Sequence, residues 1–211
     1  MDKESIERTI RSLRNNHFDV YFAQDTTAAA DLFFNDIFPG LAVQSVSWGD
    51  SKTMESTGVL EKLRENPDLA IINTFGKGMS RAQKIYWRRQ ALLCDLFLAG
   101  SNAVTEKGQL VNLDMVGNRV GGITFGPKNV VLFIGINKIT PDIEAAMQRI
   151  RSYSAPQNAM LHEGFRTPCH KTGVCMDCNS PDRICNTWVI SEKSYPAGRI
   201  KVILIGQELG L

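Results

Sequence analysis

The order of apolar and polar positions predicts helices that alternate with strands along the chain. Residues 3–15 place their apolar side chains on one helical face, with acidic residues early and arginines late, as the helix dipole favours. A short strand at 20–23 follows, and a second helix is predicted from Thr26, as its N-cap, to the break at Pro39-Gly40. This alternation predicts an α/β fold.

Continuous apolar runs mark the remaining strands. They are predicted at 42–48, 68–75, 95–100, 130–134, 186–191 and 200–205. The run at 68–75 is apolar enough to predict a central strand that is covered on both faces. Residues 101–114 predict a hairpin that turns at Lys107-Gly108, and 115–119 predict another tight turn. A helix capped by Thr140 is expected to end before Pro156.

Composition predicts one domain over residues 1–211, because 211 residues with 43% hydrophobic content can bury one sizeable core. The net charge of +2 gives no overall field for nucleic acid or an acidic membrane, so any anion site must be local. No apolar run reaches the ~18 residues needed to span a bilayer, and the first residues lack the apolar region of a secretion signal. We therefore expect a cytoplasmic protein.

Four of the five cysteines lie close together near the end of the chain. Cys169, Cys175, Cys178 and Cys185 are separated by five, two and six residues, in a stretch without helical or alternating apolar pattern. This stretch predicts a cysteine-rich insertion loop at about 163–187, which something other than a hydrophobic core must hold in place. In a cytoplasmic protein, such clustering favours a metal or a redox role over a disulfide framework.

The spacing of these cysteines does not select the metal. Four sulfur ligands suit an iron–sulfur cluster, for which we expect the 4Fe-4S type, or a structural zinc ion. A thiol pair or a loop without metal is the third interpretation. His162 and His170 could replace a sulfur in principle, although a histidine on a polar loop is usually solvated.

Polar residues at predicted strand ends form a second group of candidates. Gly49-Asp50-Ser51 follows a strand and precedes a helix, where free backbone N–H groups can hold a phosphate or carboxylate. The alternative is that Ser51 or Thr53 only caps the helix. Strand ends are where an α/β sheet places its ligand groups. The predicted residues for a small anionic ligand are Gly49, Ser51, Asn118, Arg119, Asn137 and Lys138, of which Arg119 and Lys138 would donate charge-assisted hydrogen bonds.

An acid-free interval between Asp68 and Asp95 carries a local basic face. Its cations are Lys77, Arg81, Lys84, Arg88 and Arg89, and positions 81, 84 and 88 share one helical face. The face is either solvated, or it meets an acidic partner or a phosphorylated ligand. The neighbouring Cys94 lies among leucines and is predicted to be an inert core residue.

The segment from 100 to 139 contains four distinctive motifs: Gly100-Ser-Asn-Ala-Val-Thr-Glu-Lys-Gly-Gln-Leu-Val-Asn-Leu-Asp114, Gly117-Asn-Arg119, Phe125-Gly-Pro-Lys128 and Ile134-Gly-Ile-Asn-Lys-Ile139. Together these motifs resemble the LUD domain of lactate utilization proteins. The resemblance extends from the first helix to the last strand. It implies a three-layer sandwich around a mostly parallel sheet, similar to the fold of sugar-phosphate isomerases and coenzyme A transferases, in agreement with the alternating pattern.

The resemblance implies an accessory or electron-transfer iron–sulfur protein in bacterial oxidation of lactate or a related organic acid. Its partners would be companion iron–sulfur and oxidoreductase proteins, and a homo-oligomer stays open. One alternative is a transferase or isomerase that acts on a thioester or sugar phosphate, with Glu106 as the catalytic residue, because superfamily relatives use a glutamate nucleophile. The other is a partner-binding module without catalysis, so the resemblance leaves open whether the chain is an enzyme.

Overall fold

The computed structural model describes residues 2–211, and its helices and strands alternate as the apolar pattern predicts. The helices are α1 (Lys3–Asn15), α2 (Thr26–Leu32), α3 (Lys52–Glu55), α4 (Val59–Arg64), α5 (Arg81–Gln90), α6 (Asn118–Thr124), α7 (Ile143–Arg149), α8 (Ala155–Met160) and α9 (Pro168–Thr172). The strands are β1 (Asp19–Ala23), β2 (Ser45–Trp48), β3 (Ala70–Ile71), β4 (Leu96–Ala99), β5 (Ala103–Thr105), β6 (Leu110–Asp114), β7 (Asn129–Gly135), β8 (Ile139–Thr140), β9 (Thr187–Ser191) and β10 (Ile200–Ile205).

Six parallel strands form the main sheet, in the order β1-β10-β7-β4-β2-β3. Every residue of β10 and nearly every residue of β7 is buried, which explains why these strands read as uninterrupted apolar runs. One face packs on α2, α3 and α4 through Ala29, Met54 and Leu63. The other face packs on α1 and α6 through Leu13 and Ile123. The predicted α/β fold, a three-layer sandwich, is confirmed.

A second sheet of four strands, in the order β8-β5-β6-β9, lies beside the main sheet. Strands β5 and β6 form the predicted antiparallel hairpin around Lys107-Gly108. Val104 and Leu110 join the core on the α1 face, whereas Ala103 and Val111 pack on α7. The last two strands therefore separate, because β9 pairs with β6 while β10 lies in the middle of the main sheet.

The prediction of a central strand at 68–75 was wrong. Only Ala70–Ile71 is a strand, and it lies at the edge of the sheet with β2 as its one neighbour. Within the run, only Leu69 and Thr74 are buried, and the exposed Phe75 instead stacks on Trp48 with ring centroids 5.8 Å apart. An apolar run indicates that a segment packs against the rest of the protein, but it does not distinguish the centre of a sheet from its edge.

The turn predicted at 115–119 leads into a helix that the pattern did not show. Gly117 has a left-handed φ of 89° and precedes α6. The Gly121-Gly122 pair suggests a turn in the sequence, yet it lies inside the helix. A Cβ on Gly122 would lie 2.8 Å from the Phe97 ring, so this glycine lets α6 approach the sheet closely.

The helix that begins at Ile143 does not end before Pro156, so that prediction was wrong. It continues through a π-helical turn at Ile150–Ser154 into α8, where Pro156 occupies the first turn. Pro156 has no N–H to donate, and the π-turn before it shifts the hydrogen-bond ladder so that the helix continues past the proline. The N-caps of α2 and α7 are Asp25 and Asp142 rather than the predicted threonines.

Across residues 2–211, the structure contains no helix that is both long and apolar enough to cross a membrane.

Gly108 provides a test of how the hairpin packs on α1. Its φ is 77°, and a Cβ would lie 2.5 Å from the backbone carbon of Ser12. Gly108→Ala should lower the free energy of unfolding by more than about 2 kcal/mol, because left-handed strain and a backbone clash add. The matched control is Gly58→Ala, where φ is 70° with nothing within 4 Å, and which should cost about 1 kcal/mol. Urea denaturation measures the free energy of unfolding of both variants. An equal loss in the two would contradict close packing of Gly108 on α1.

Candidate functional site

A cleft of about 480 Å³ opens at the carboxyl ends of β2, β4 and β7. Its floor comes from the residues that directly follow these strands, including Ser51, Ser101 and Lys138, and its walls come from β6, α5 and α8. Parallel α/β sheets bind their ligands at this edge, because all the strand ends and their loops converge there. The volume lies within the range of sites for small molecules and cofactors.

Four of the six residues predicted to bind an anion line this cleft: Ser51, Asn118, Arg119 and Lys138. The other two support it. The Gly49 N–H donates to Leu98 O at 2.8 Å, and a Cβ at Gly49 would lie 2.8 Å from Arg119 Cγ. Asn137 Oδ1 accepts a hydrogen bond from Leu209 N at 3.1 Å.

Ser51 also caps a helix, as the alternative interpretation proposed. Its Oγ accepts from Met54 N at 3.2 Å, at the start of the four-residue α3. The hydroxyl is buried yet lines the cleft, so capping and lining occur together.

Arg119 is committed to protein partners rather than free for a ligand. Its Nη1 donates to Gly100 O at 3.1 Å and Asn112 Oδ1 at 2.7 Å, and its Nη2 donates to Asn102 Oδ1 at 2.8 Å and Leu113 O at 3.0 Å. Nε lies 3.6 Å from Asp114 Oδ2. Burial lowers the pKa of Arg119, while Asp114 and Asp50 oppose that shift. Its charge therefore acts on the cleft through space.

Lys138 is the most unusual group in the cleft. Its side chain is 5% exposed, and Nζ donates to Thr53 Oγ1 at 3.1 Å. No carboxylate in the described part of the chain lies within ion-pair distance of Nζ. Burial, with smaller contributions from Arg149 and Arg119, lowers the pKa of Lys138 to about 7.

Helix α5 adds cations that we did not assign to the site from sequence. Lys84 and Arg88 line the cleft from one side, and Lys52 lines it from the first position of α3. Arg88 Nε is buried without a hydrogen-bond partner among the described residues. The i, i+4 spacing of Lys84 and Arg88 was the available signal, and it showed a shared face but not what that face meets.

Glu106 lies apart from the residues that line the cleft. Ser5 Oγ donates to its Oε1 at 2.6 Å, and Arg8 Nε donates to its Oε2 at 2.7 Å. These two hydrogen bonds, with Arg8 the larger influence, lower the pKa of Glu106. The structure thus engages this carboxylate with α1, and its catalytic role stays a prediction.

The four clustered cysteines line one small cavity of about 10 Å³, together with Ala155, Pro156 and Ile184. All four are half-buried free thiols. From Asp2 onwards, no three side chains of His, Cys, Asp and Glu are arranged as they would be around a bound ion. His162 lines the large cleft, and neither His162 nor His170 lines the cysteine cavity.

Polar contacts hold most of the cysteine loop. Arg183 donates from Nη1 to Cys178 O, from Nε to Cys185 O at 3.0 Å and from Nη2 to Asp177 Oδ1 at 2.8 Å. Asp177 has a φ of 45°, the left-handed conformation of a tight turn. Ile184 is buried, so one apolar anchor adds to the polar contacts, and the short helix α9 lies within the segment predicted to be loop.

The cavity has the chemistry of a four-sulfur metal site. Burial raises the pKa of the Cys185 thiol, and Cys175, Cys178 and Cys169 raise it further, against the opposing charge of Arg183. Four cysteines this close repel one another as thiolates, and a cation removes that repulsion. An all-sulfur donor set suits iron–sulfur clusters and zinc. By the type of ligand they supply, these residues fit either group.

The comparisons with known proteins agree with this architecture. The family model described as the LUD domain matches residues 6–205. A structurally similar protein is a DUF162 family protein from Deinococcus radiodurans, whose crystal structure was determined at 1.70 Å; it is 13% identical over 96% of each chain, with a TM-score of 0.51. The comparison with curated proteins gave no match.

Replacing Arg119 tests its structural role. Arg119→Gln should reduce the free energy of unfolding by about 3 kcal/mol or more, because it leaves buried carbonyl and carboxylate oxygens without donors. Arg8→Gln is the control, since it breaks a solvated ion pair with Glu106 and should change stability little. Chemical denaturation of both variants measures the difference. A loss of stability in Arg119→Gln no larger than in Arg8→Gln would contradict the assignment.

Proposed function

The chain belongs to the LUD domain family, which is associated with lactate utilization, and from this premise we propose that it is an iron–sulfur accessory protein of organic-acid oxidation. In this proposal the cleft binds the acid, and Cys169, Cys175, Cys178 and Cys185 hold the cluster. When bound, the cluster would accept and donate single electrons.

The observation that carries this proposal is that the cleft and the cysteine cavity share a wall. Ala155 and Ile184 line both. A ligand in the cleft would therefore lie one side chain away from a group held by the cysteines. That arrangement suits a metal centre that acts on the bound acid, whereas a centre that only stabilised the loop would not need to lie beside the cleft.

The charges of the cleft support an anionic ligand. Lys52, Lys84 and Arg88 line it directly, and the buried Arg119 and Lys138 add positive potential from below. Asp114 does not neutralise Lys138, because its carboxylate forms an ion pair with Arg119 at 3.6 Å and accepts from the backbone N–H groups of Val116, Gly117 and Val120. Buried positive charge without a counter-ion favours binding of a carboxylate.

The outer surface of α5 supports an electron-transfer partner. Every residue of α5 is exposed or half-buried, and its exposed residues include Arg81, Arg89, Tyr86 and Trp87. Exposed aromatic side chains among arginines are typical of protein interfaces, and positive charge suits an acidic companion protein.

Structural zinc is the second candidate for the cysteines, and the size of the cavity favours it. A cavity of about 10 Å³ holds roughly one water-sized sphere, so there is room for a single ion, toward which the four thiols would have to turn. A 4Fe-4S cluster would require the loop, which is tied mainly by polar contacts, to move outward.

Metal analysis of cysteine variants tests the cluster. Protein purified without oxygen should contain iron and inorganic sulfide and absorb visible light, whereas Cys175→Ser and Cys178→Ser should lose most of the iron, because serine is a poor ligand for iron–sulfur clusters. The control is Cys94→Ser, which should keep its iron. Cys94 is buried elsewhere, and burial raises the pKa of its thiol to about 12.

Elemental analysis and visible spectra of the four proteins give the result. Stoichiometric zinc without iron would replace the electron-transfer role with a structural one. Equal metal content in all the variants would show that Cys175 and Cys178 do not bind the metal and would contradict the cysteine site.

The pH dependence of binding tests the cleft. Lys138 is protonated only below its pKa of about 7, and an anion binds best to the protonated form. The affinity for L-lactate should therefore fall as the pH rises through about 7, by up to about tenfold per pH unit. Titration calorimetry measures it, and Lys138→Met should bind weakly with little pH dependence. An affinity of the unmodified protein that is constant between about pH 6 and 8 contradicts a role for Lys138 in anion binding.

A further inference from the structure

The Lys138 amine lies at the cleft but is enclosed by neighbouring protein atoms. Thr53 Oγ1 donates to Leu209 O at 3.0 Å, so this hydroxyl must accept from Nζ, which fixes the position of the amine. The backbone of Gly210 lies over it, because a Cβ there would be 3.2 Å from Nζ. The side chain is thus shielded by protein while it lines the cleft.

The charges around this amine disfavour its proton. Arg149 on α7 is held by Asn137 O, Asn102 O and Ser154 Oγ, and Arg119 on α6 is held as described above. Both guanidinium groups stay charged at any pH at which the protein remains folded. Of the other titratable groups lining the cleft, Asp114 is paired with Arg119, Asp50, Lys52 and His162 lie at its more exposed walls, and Lys84 and Arg88 reach it from α5. Burial and the two guanidinium charges therefore leave Lys138 partly neutral near neutral pH.

A neutral amine is a poor anchor for an anion but a good nucleophile. A lysine that only holds a carboxylate binds it best when protonated. Burial beside two arginines disfavours the protonated form of Lys138. Lysines made neutral by burial and by neighbouring cations are those that attack carbonyl groups.

We propose that Lys138 captures a 2-oxo acid in the cleft by forming an imine with its carbonyl carbon. The nitrogen lone pair forms the N–C bond, the two protons of the amine pass to the carbonyl oxygen, and the C–O bond breaks to release water as the C=N double bond forms, without any change of oxidation state. The carboxylate of the acid would lie in the positive potential of Arg119 and Arg149. This inference rests on the proposed function for the cleft as the ligand site, and it does not depend on the metal.

Reductive trapping tests the imine. The protein is incubated with pyruvate and sodium cyanoborohydride, digested, and mapped by mass spectrometry. Lys138 should carry one reduced pyruvyl group and should react faster than exposed lysines such as Lys3, with a rate that rises to half its maximum near pH 7. L-lactate, which lacks the carbonyl, should leave no label. Lys138→Arg should keep its fold, as checked by circular dichroism, and lose the label.

The outcomes separate this inference from the proposed function. Pyruvate binding by calorimetry without label on Lys138, or label spread over the lysines according to their exposure, overturns the imine and leaves the cleft as an anion site. The absence of both binding and label overturns both proposals. Because the peptide map is made on the unmodified protein, the result holds even if a variant fails to fold.

Discussion

The guanidinium of Arg119 joins the two sheets of this protein. It contacts Gly100 O and Asn102 beyond the end of β4, and Asn112 and Leu113 O on β6 of the second sheet. Its planar set of donors satisfies several buried oxygens at once, which a lysine could not do. Gly49 belongs to the same arrangement, because only the absence of a side chain lets the arginine stem pass. The junction that forms the cleft is therefore built around one buried positive charge.

The electrostatics of the cleft follow from this junction. Once Asp114 is committed to Arg119 and to the start of α6, no other buried carboxylate within residues 2–211 is left for Lys138. A third cation, Arg149, is held by backbone and hydroxyl oxygens on the same side. The positive potential then has two effects with one cause, since it favours binding of an anion and it lowers the pKa of the Lys138 amine to about 7. Binding and nucleophilicity are thus linked through the same buried charges.

The cysteine loop is attached to this cleft rather than to a distant surface. Ile184 is its apolar anchor and also forms part of the cleft wall, next to Ala155 of α8. The remainder of the loop depends on Arg183 and on exposed ion pairs such as Arg166–Asp182. Solvated contacts of this kind contribute little stability, so the loop can adjust around a bound group more easily than a packed segment could.

The sequence by itself determined the elements of this fold and the chemistry of its candidates. Apolar runs marked β7 and β10 as buried, Lys107-Gly108 marked the hairpin, and the cysteine spacing marked a converging loop, because each of these signals is local. The tertiary structure alone decided which residues meet. It placed 68–75 at an edge, continued a helix through Pro156, turned Lys84 and Arg88 toward the cleft and held Glu106 against α1. It also showed that Arg119 is satisfied while Lys138 is not. The physical reason is that burial, pairing and pKa depend on distances between residues far apart in the chain, which no local pattern contains.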